Sequence, residues 1–143
     1  MSREAASGDP AIVTRLVEAA RRAQEHAHAP YSRFCVGAAL LTSDGQIFVG
    51  CNVENASYPL SVCAERNAIA QMVVAGASDP VLCVVVGPIP SPVPPCGACR
   101  QVLAEFNPRM EVVCVGTSGA VQRFGLDELL PHQFHFTPPE KDG

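Results

Sequence analysis

The sequence predicts one layered α/β domain built around a mixed sheet. Three observations carry that expectation. Helix-like and strand-like segments alternate in the order α-β-β-α-β-α-β, the pattern of helices laid on a sheet. The runs VLCVVVG and MEVVCVG are nearly continuous in apolar residues, as strands covered on both faces must be. A chain of 143 residues can bury roughly two thirds of its unfolded surface in a single core, with no room for a second domain of ordinary size. The domain is therefore expected to span residues 1–143, with residues 1–9 and 137–143 as frayed tails.

From the N-terminus, Asp9-Pro10 reads as an N-cap followed by proline at the first helical position. Ile12, Val13, Leu16, Val17, Ala20 and Ala23 recur at helical spacing, predicting a helix over residues 10–27 that Pro30 breaks. VGAALLTSDGQIFVGCNVE reads as a β-hairpin, because Ser43-Asp44-Gly45 suits a turn with positive φ. Ala64, Ala68, Ile69, Met72 and Val73 form an apolar stripe for a second helix over residues 63–75, with Gly76 as its C-cap signal. GPIPSPVPP has the length of a loop and stiffens the approach to Cys96, where a third helical stretch over residues 97–106 begins. VQRF suggests a fifth strand and LDELLP a short final helix.

Composition excludes several functions. With 48% hydrophobic and 17% charged residues the chain is an ordinary globular one. A net charge of -4 without any basic block leaves no footprint for a polynucleotide. No apolar run is long enough for a bilayer and MSREAASGDP lacks a signal-type core, so a soluble cytoplasmic protein without a membrane partner is expected. Seven cysteines, an odd number, argue for reduced thiols or metal ligands over a disulfide framework.

Three of those cysteines share one context. Cys96 and Cys99 are placed in the first turn of the third helix, and Cys63 opens the second. Two such helix starts can meet over a sheet edge, where ligands of α/β proteins bind. Three thiolates leave a fourth zinc position for water, as catalytic zinc sites do, whereas structural sites close with four ligands. Cys35, Cys51, Cys83 and Cys114 lie in or beside strands and read as small core residues. Glu65 is either a proton-transfer group beside such a metal or a first-turn residue that merely complements the helix dipole. On a regular helix its side chain would point about 200° away from that of Cys63. Arg66 and Arg100 are both placed to offset the charge of three sulfurs. Asn52 and Glu54, two apart, form a polar face at a strand end that reads by itself as solvated.

The ordered set YSRF, VGAALL, GCNVENASYP, CAER, PCGACRQ and ELLP resembles the homotetrameric cytidine deaminase family over most of the chain. Zinc deaminases as a wider class include a variant whose metal is held by three cysteines, with a PCxxC motif and a glutamate that is not a ligand. The resemblance implies a three-layer α/β/α fold with a central five-stranded mixed sheet. It implies one zinc ion per chain on Cys63, Cys96 and Cys99, with water or hydroxide in the fourth position, and Glu65 carrying the water proton to the pyrimidine and then to departing ammonia. Arg66 takes the role of supporting the sulfurs. Phe34 contacts the base, Asn52 and Glu54 the ribose, and the Ala64 backbone with the carbonyls near Pro94 and Pro95 frames the base and the amine. Ala56, Tyr58 and Phe134 match positions that reach a neighbouring chain's nucleoside, implying a homotetramer with shared sites. The implied activity is deamination of cytidine and 2′-deoxycytidine in pyrimidine salvage.

Two departures stand out. Cys35 replaces a proline common in relatives, and HFTPPEKDG follows Phe134 where relatives carry Gly-Pro, which makes Phe136 a candidate substitute. A deaminase of another aminated heterocycle, a zinc-stabilised module without catalysis and a dithiol oxidoreductase are the competing readings. The first is opposed by the intact NVENASY segment; the second needs neither Glu65 nor the Asn52/Glu54 pair; the third leaves Cys63 unexplained.

Overall fold

A computed structural model describes residues 9–141, so of the expected frayed tails, 1–9 and 137–143, residues 1–8 and 142–143 lie outside the described residues. The elements are α1 (Pro10–Gln24), β1 (Gly37–Thr42), β2 (Ile47–Cys51), a 3-10 turn (Tyr58–Leu60), α2 (Ala64–Val74), β3 (Pro80–Val86), α3 (Gly97–Phe106), β4 (Glu111–Val115), β5 (Val121–Gly125) and α4 (Leu126–Leu129). The sheet order is β2-β1-β3-β4-β5, parallel only between β3 and β4 and antiparallel elsewhere. The α/β class, the mixed five-stranded sheet and the element order agree with the sequence expectation.

The pleat sorts the strands' side chains into two apolar clusters. Leu16 and Ala20 of α1 pack with Ala39, Leu41, Val84 and Val113 on one face. Ala68 and Met72 of α2, Leu103 of α3 and Leu126 of α4 pack with Leu40, Cys83, Val85 and Cys114 on the other. Every residue of β1, β3 and β4 is buried, which explains their unbroken apolar runs. No helix among the described residues is long and apolar enough to cross a membrane.

Caps and turns follow local chemistry. Asp9 accepts the Ala11 N–H at 2.9 Å and starts α1. Gly45 takes the positive φ of the hairpin turn at 88°. Gly76, at φ 84°, ends α2 in a Schellman arrangement: its N–H bonds the Val73 carbonyl and the Ala77 N–H bonds that of Met72.

α1 stops at Gln24, three residues short of the expected end. The cause is tertiary pairing, because the His28 N–H donates to the Asn52 carbonyl and the Glu54 N–H to the His28 carbonyl, drawing residues 26–28 out of the helix. The core assignment of Cys35 and Cys51 is corrected as well. Both flank Gly37, which lies under the last turns of α1, and both are only half-buried, whereas Cys83 and Cys114 are fully buried.

The seat of α2 positions the residues at its N-terminus. A Cβ on Gly50 would lie 2.3 Å from the Ala64 carbonyl oxygen and 2.5 Å from the Ala68 nitrogen, so only glycine lets the first turn of α2 rest on β2. Gly50→Ala is expected to displace that turn and cost about 1–3 kcal/mol, as overpacking does. Thermal unfolding with zinc content measured in parallel checks it: Tm and zinc retention both fall.

Candidate active site

The loops entering α2 and α3 each deliver a cysteine at the helix boundary. Cys63 and Cys96 are the N-cap residues, both in extended backbone, and neither uses its thiol in a capping hydrogen bond. Serine or aspartate would turn back on the first-turn N–H groups; cysteine is too weak an acceptor to be held there. Cys99 lies within the first turn of α3 and is fully buried. The Sγ atoms of Cys63 and Cys96 are 3.8 Å apart, those of Cys96 and Cys99 3.4 Å, and all three lie within 4.8 Å of one another. Zn–S bonds of about 2.3 Å in a tetrahedron space sulfurs about 3.8 Å apart. Donor chemistry and spacing therefore fit zinc.

The N-cap position also removes the expected conflict between Cys63 and Glu65. Cys63 is outside the helix, so the separation expected of a regular helix does not apply, and both residues line one cavity of about 350 Å³. Cys96, Ala64, Phe34, Asn52, Glu54 and Tyr58 line it as well. Glu65 is 4% exposed and makes no ion pair among the described residues. Burial pushes its carboxyl pKa up; the Cys63 charge adds to this, while its own backbone N–H and the Cys99 thiol act against it.

Without metal, the cluster shares its protons unevenly. A hydrogen bond from Cys99 does most to hold the Cys63 thiol down to about 6; burial opposes it, and Cys96 and the Arg66 charge assist. The same contact with Cys63, joined by burial, keeps Cys99 protonated. Of the two candidate arginines, Arg66 acts on the sulfurs through its charge. Arg100 donates from Nε to the Pro95 carbonyl at 2.8 Å and from a terminal nitrogen to the Leu129 carbonyl at 3.0 Å, tying the loop before Cys96 to α4. The Pro95 carbonyl, expected to frame the substrate, is thereby engaged within the fold, whereas Pro94 lines the cavity.

The wall opposite the sulfurs comes from residues 32–36 and 52–54. Asn52 accepts the Val36 N–H at 2.9 Å and donates to the Phe34 carbonyl at 2.7 Å, so its amide is spent on shaping the segment that carries Phe34. Glu54 is 8% exposed, not solvated as its strand-end position suggested. Its carboxylate accepts the Tyr31 and Ser32 N–H groups at 3.0 and 3.1 Å and the Ser32 hydroxyl. Those bonds, the hydroxyl first, lower its pKa, with a smaller contribution from the His28 charge; partial desolvation opposes them.

Ala56 and Phe134 do not line the cavity. Phe134 is 73% exposed, and the Gln101 side-chain amide holds its backbone, donating to the carbonyl at 3.1 Å and accepting the N–H at 3.4 Å. Phe136 is equally exposed. Residue-type reasoning missed Ser32, Val36, Val85 and Val93, all of which line the cavity. Ser32 and Val36 had a signal, their places inside YSRF and VGAALL.

Comparison with known proteins adds a family to this geometry. Residues 11–116 match the model of the cytidine and deoxycytidylate deaminase zinc-binding region. The chain is 49% identical to the cytidine deaminase of Halalkalibacterium halodurans over 83% of its own length and 91% of that protein's. With the cytidine deaminase of Sporosarcina psychrophila it is 44% identical, covering 85% and 90% of the two chains. The crystal structure of the Burkholderia pseudomallei cytidine deaminase superposes with a TM-score of 0.82 at 49% identity, covering 85% of this chain and 98% of that one. For the Mycobacterium tuberculosis enzyme the TM-score is 0.74 at 34% identity, covering 87% and 98%.

The Glu54 hydrogen bonds carry a pH dependence. Its pKa is lower in the folded chain than the ordinary 4.5, so the unfolded chain binds the proton more readily in the interval below 4.5. This contribution to stability is complete above that value and is lost as pH falls through the folded pKa. Glu54→Gln should therefore narrow its stability gap to the native protein on acidification, read by denaturant unfolding above and below pH 4.5.

Proposed function

The chain belongs to the cytidine and deoxycytidylate deaminase family, and we propose accordingly that it hydrolyses cytidine and 2′-deoxycytidine to uridine and 2′-deoxyuridine, releasing ammonia, as one zinc-dependent cytoplasmic domain. The observation that carries this reading is a buried carboxyl, Glu65, in a cavity that also receives a zinc-spaced triad of thiols.

Zinc held by Cys63, Cys96 and Cys99 supplies a Lewis acid that makes water a nucleophile near neutral pH. The chain's own residues do the rest. Glu65 takes a proton from the attacking water and delivers it to nitrogen 3 of the ring as carbon 4 is attacked; it then takes the remaining hydroxyl proton of the adduct at carbon 4 and passes it to the amine, so that ammonia leaves as the C4 carbonyl forms. A carboxyl whose pKa is raised by burial is suited to both directions of transfer, since its proton affinity lies nearer the working pH than that of a solvated glutamate. Phe34 supplies an apolar wall for the base and the Ala64 backbone closes its edge. Glu54 accepts sugar hydroxyls, with Asn52 holding the wall behind it.

The mouth of the cavity supports assembly into a homotetramer with shared sites. Tyr58 lines the cavity and exposes more than half of its surface, as do Leu60, two residues on, and Tyr31, next to the cavity-lining Ser32; a neighbouring copy would cover these apolar groups. Ala56, Tyr58 and Phe134 then belong to the neighbour's nucleoside site, which accounts for Phe134 standing outside its own.

Glu65→Gln is expected to retain one zinc per chain while kcat for ammonia release falls by at least about 10²-fold. Metal analysis alongside a cytidine deamination assay checks it, and cytidine turnover unchanged by the substitution would remove Glu65 from the proton path. Sedimentation velocity should find four chains per particle. Phe134→Ala should raise KM without loss of zinc; if Phe136→Ala does so instead, Phe136 is the residue that crosses.

A further inference from the structure

Residues 29–34 wind into a tight turn whose donors converge on one carboxylate. Arg33 sits in the left-handed region at φ 58°, the only residue other than glycine to do so among the described residues. A side chain is unfavourable in that conformation, and such residues persist where surrounding contacts hold them. The Arg33 N–H closes the turn on the Ala29 carbonyl at 2.9 Å. The turn presents the successive Tyr31 and Ser32 N–H groups to Glu54 Oε1, an anion-binding nest of backbone donors.

Ser32 then makes two further bonds that no other group supplies. Its hydroxyl donates to Glu54 Oε2 and its oxygen accepts the Phe34 N–H at 3.0 Å. One serine thus couples the carboxylate to the backbone of the aromatic wall, and Ser32, Phe34 and Glu54 all line the cavity. With Oε1 taken by two N–H groups and Oε2 by one hydroxyl, an ionised carboxylate keeps acceptor capacity on Oε2. It can receive a hydroxyl hydrogen there but has none to donate.

We propose that Ser32 is the positioning residue of the sugar subsite: within the Arg33 turn it holds Glu54 as an acceptor-only carboxylate and sets Phe34 against it, so that the turn selects the nucleoside's sugar and not its base. The proposal rests on the reading of Glu54 as the acceptor of sugar hydroxyls. Ser32 acts through Glu54 and Phe34 and is itself exposed. Its replacement therefore leaves the core intact.

The test compares the native protein with Ser32→Ala, Ser32→Thr and Glu54→Gln in cytidine turnover, with free cytosine as a competitive inhibitor lacking the sugar and with zinc content measured throughout. Loss of a hydrogen bond to a charged group in Ser32→Ala is expected to raise the cytidine KM roughly tenfold. The kcat should stay within about twofold, which separates positioning from chemistry. Cytosine inhibition should weaken far less than cytidine binding, because cytosine meets only the Phe34 wall and not Glu54; zinc content should not change, and Ser32→Thr, which keeps the hydroxyl, should restore KM. An unchanged KM in Ser32→Ala, an equal weakening of cytosine, or failure of Ser32→Thr to restore KM overturns the proposal. Glu54→Gln keeps the two failures apart. If it leaves the cytidine KM unaltered, the sugar-subsite reading of Glu54 falls; if it raises KM while Ser32→Ala does not, only the role of Ser32 falls.

Discussion

Three sulfurs from two different helices must meet within the span of one metal tetrahedron, and that requirement governs how the surrounding chain is tied down. The tolerance is a few tenths of an ångström, so the helices need fixed seats. Gly50 lets α2 lie on the backbone of β2, and Asn67, one turn into α2, donates to the Cys51 carbonyl at 2.8 Å and bolts helix to strand. Arg100 does the same for α3 through Pro95 and Leu129. The proline-rich loop leading to Cys96 is pinned where the Thr117 N–H meets the Ile89 carbonyl and the Ser118 hydroxyl meets that of Pro90.

Concentrating sulfurs beside a buried carboxyl sets an electrostatic problem that the same geometry eases. Two helix N-termini bring partial positive charge to the cluster, and the Arg66 charge favours the Cys63 thiolate. Below Glu65 the sheet carries Cys83 and Cys114, small residues that leave room without adding charge. Burial first, and then the proximity of Glu65, keep both thiols protonated, with Cys114 raised to about 12. Glu65 therefore lies between the neutral thiols of the sheet and the charge of Cys63 at the cavity.

Backbone groups along the margins of the sheet follow one further pattern. Side-chain amides take over where the ladder stops: Gln24 donates to the Cys35 carbonyl, Asn52 bridges Phe34 and Val36, and Gln71 accepts the Val49 N–H. No buried side-chain nitrogen or oxygen among the described residues lacks a partner. The cavity is therefore bounded by groups already committed, which is what keeps it shaped before any ligand arrives.

The α-helices and strands, the caps at Asp9 and Gly76, and the three cysteines at two helix starts were legible in the sequence, because periodicity, capping and turn chemistry act between residues close along the chain; the 3-10 turn at Tyr58–Leu60 was not. The odd count of seven cysteines and the helix-start context of Cys63, Cys96 and Cys99 pointed to reduced thiols or metal ligands, and the resemblance to the deaminase family implied a three-cysteine zinc site. Pairings between distant segments were settled only by the folded chain. His28 meeting Asn52 and Glu54 cut α1 short at Gln24. The turn over residues 29–34 drew Glu54 out of solvent, and Arg100 claimed the Pro95 carbonyl. Such outcomes depend on which backbone donors and acceptors come within hydrogen-bond reach across long stretches of chain, and no local pattern encodes that distance.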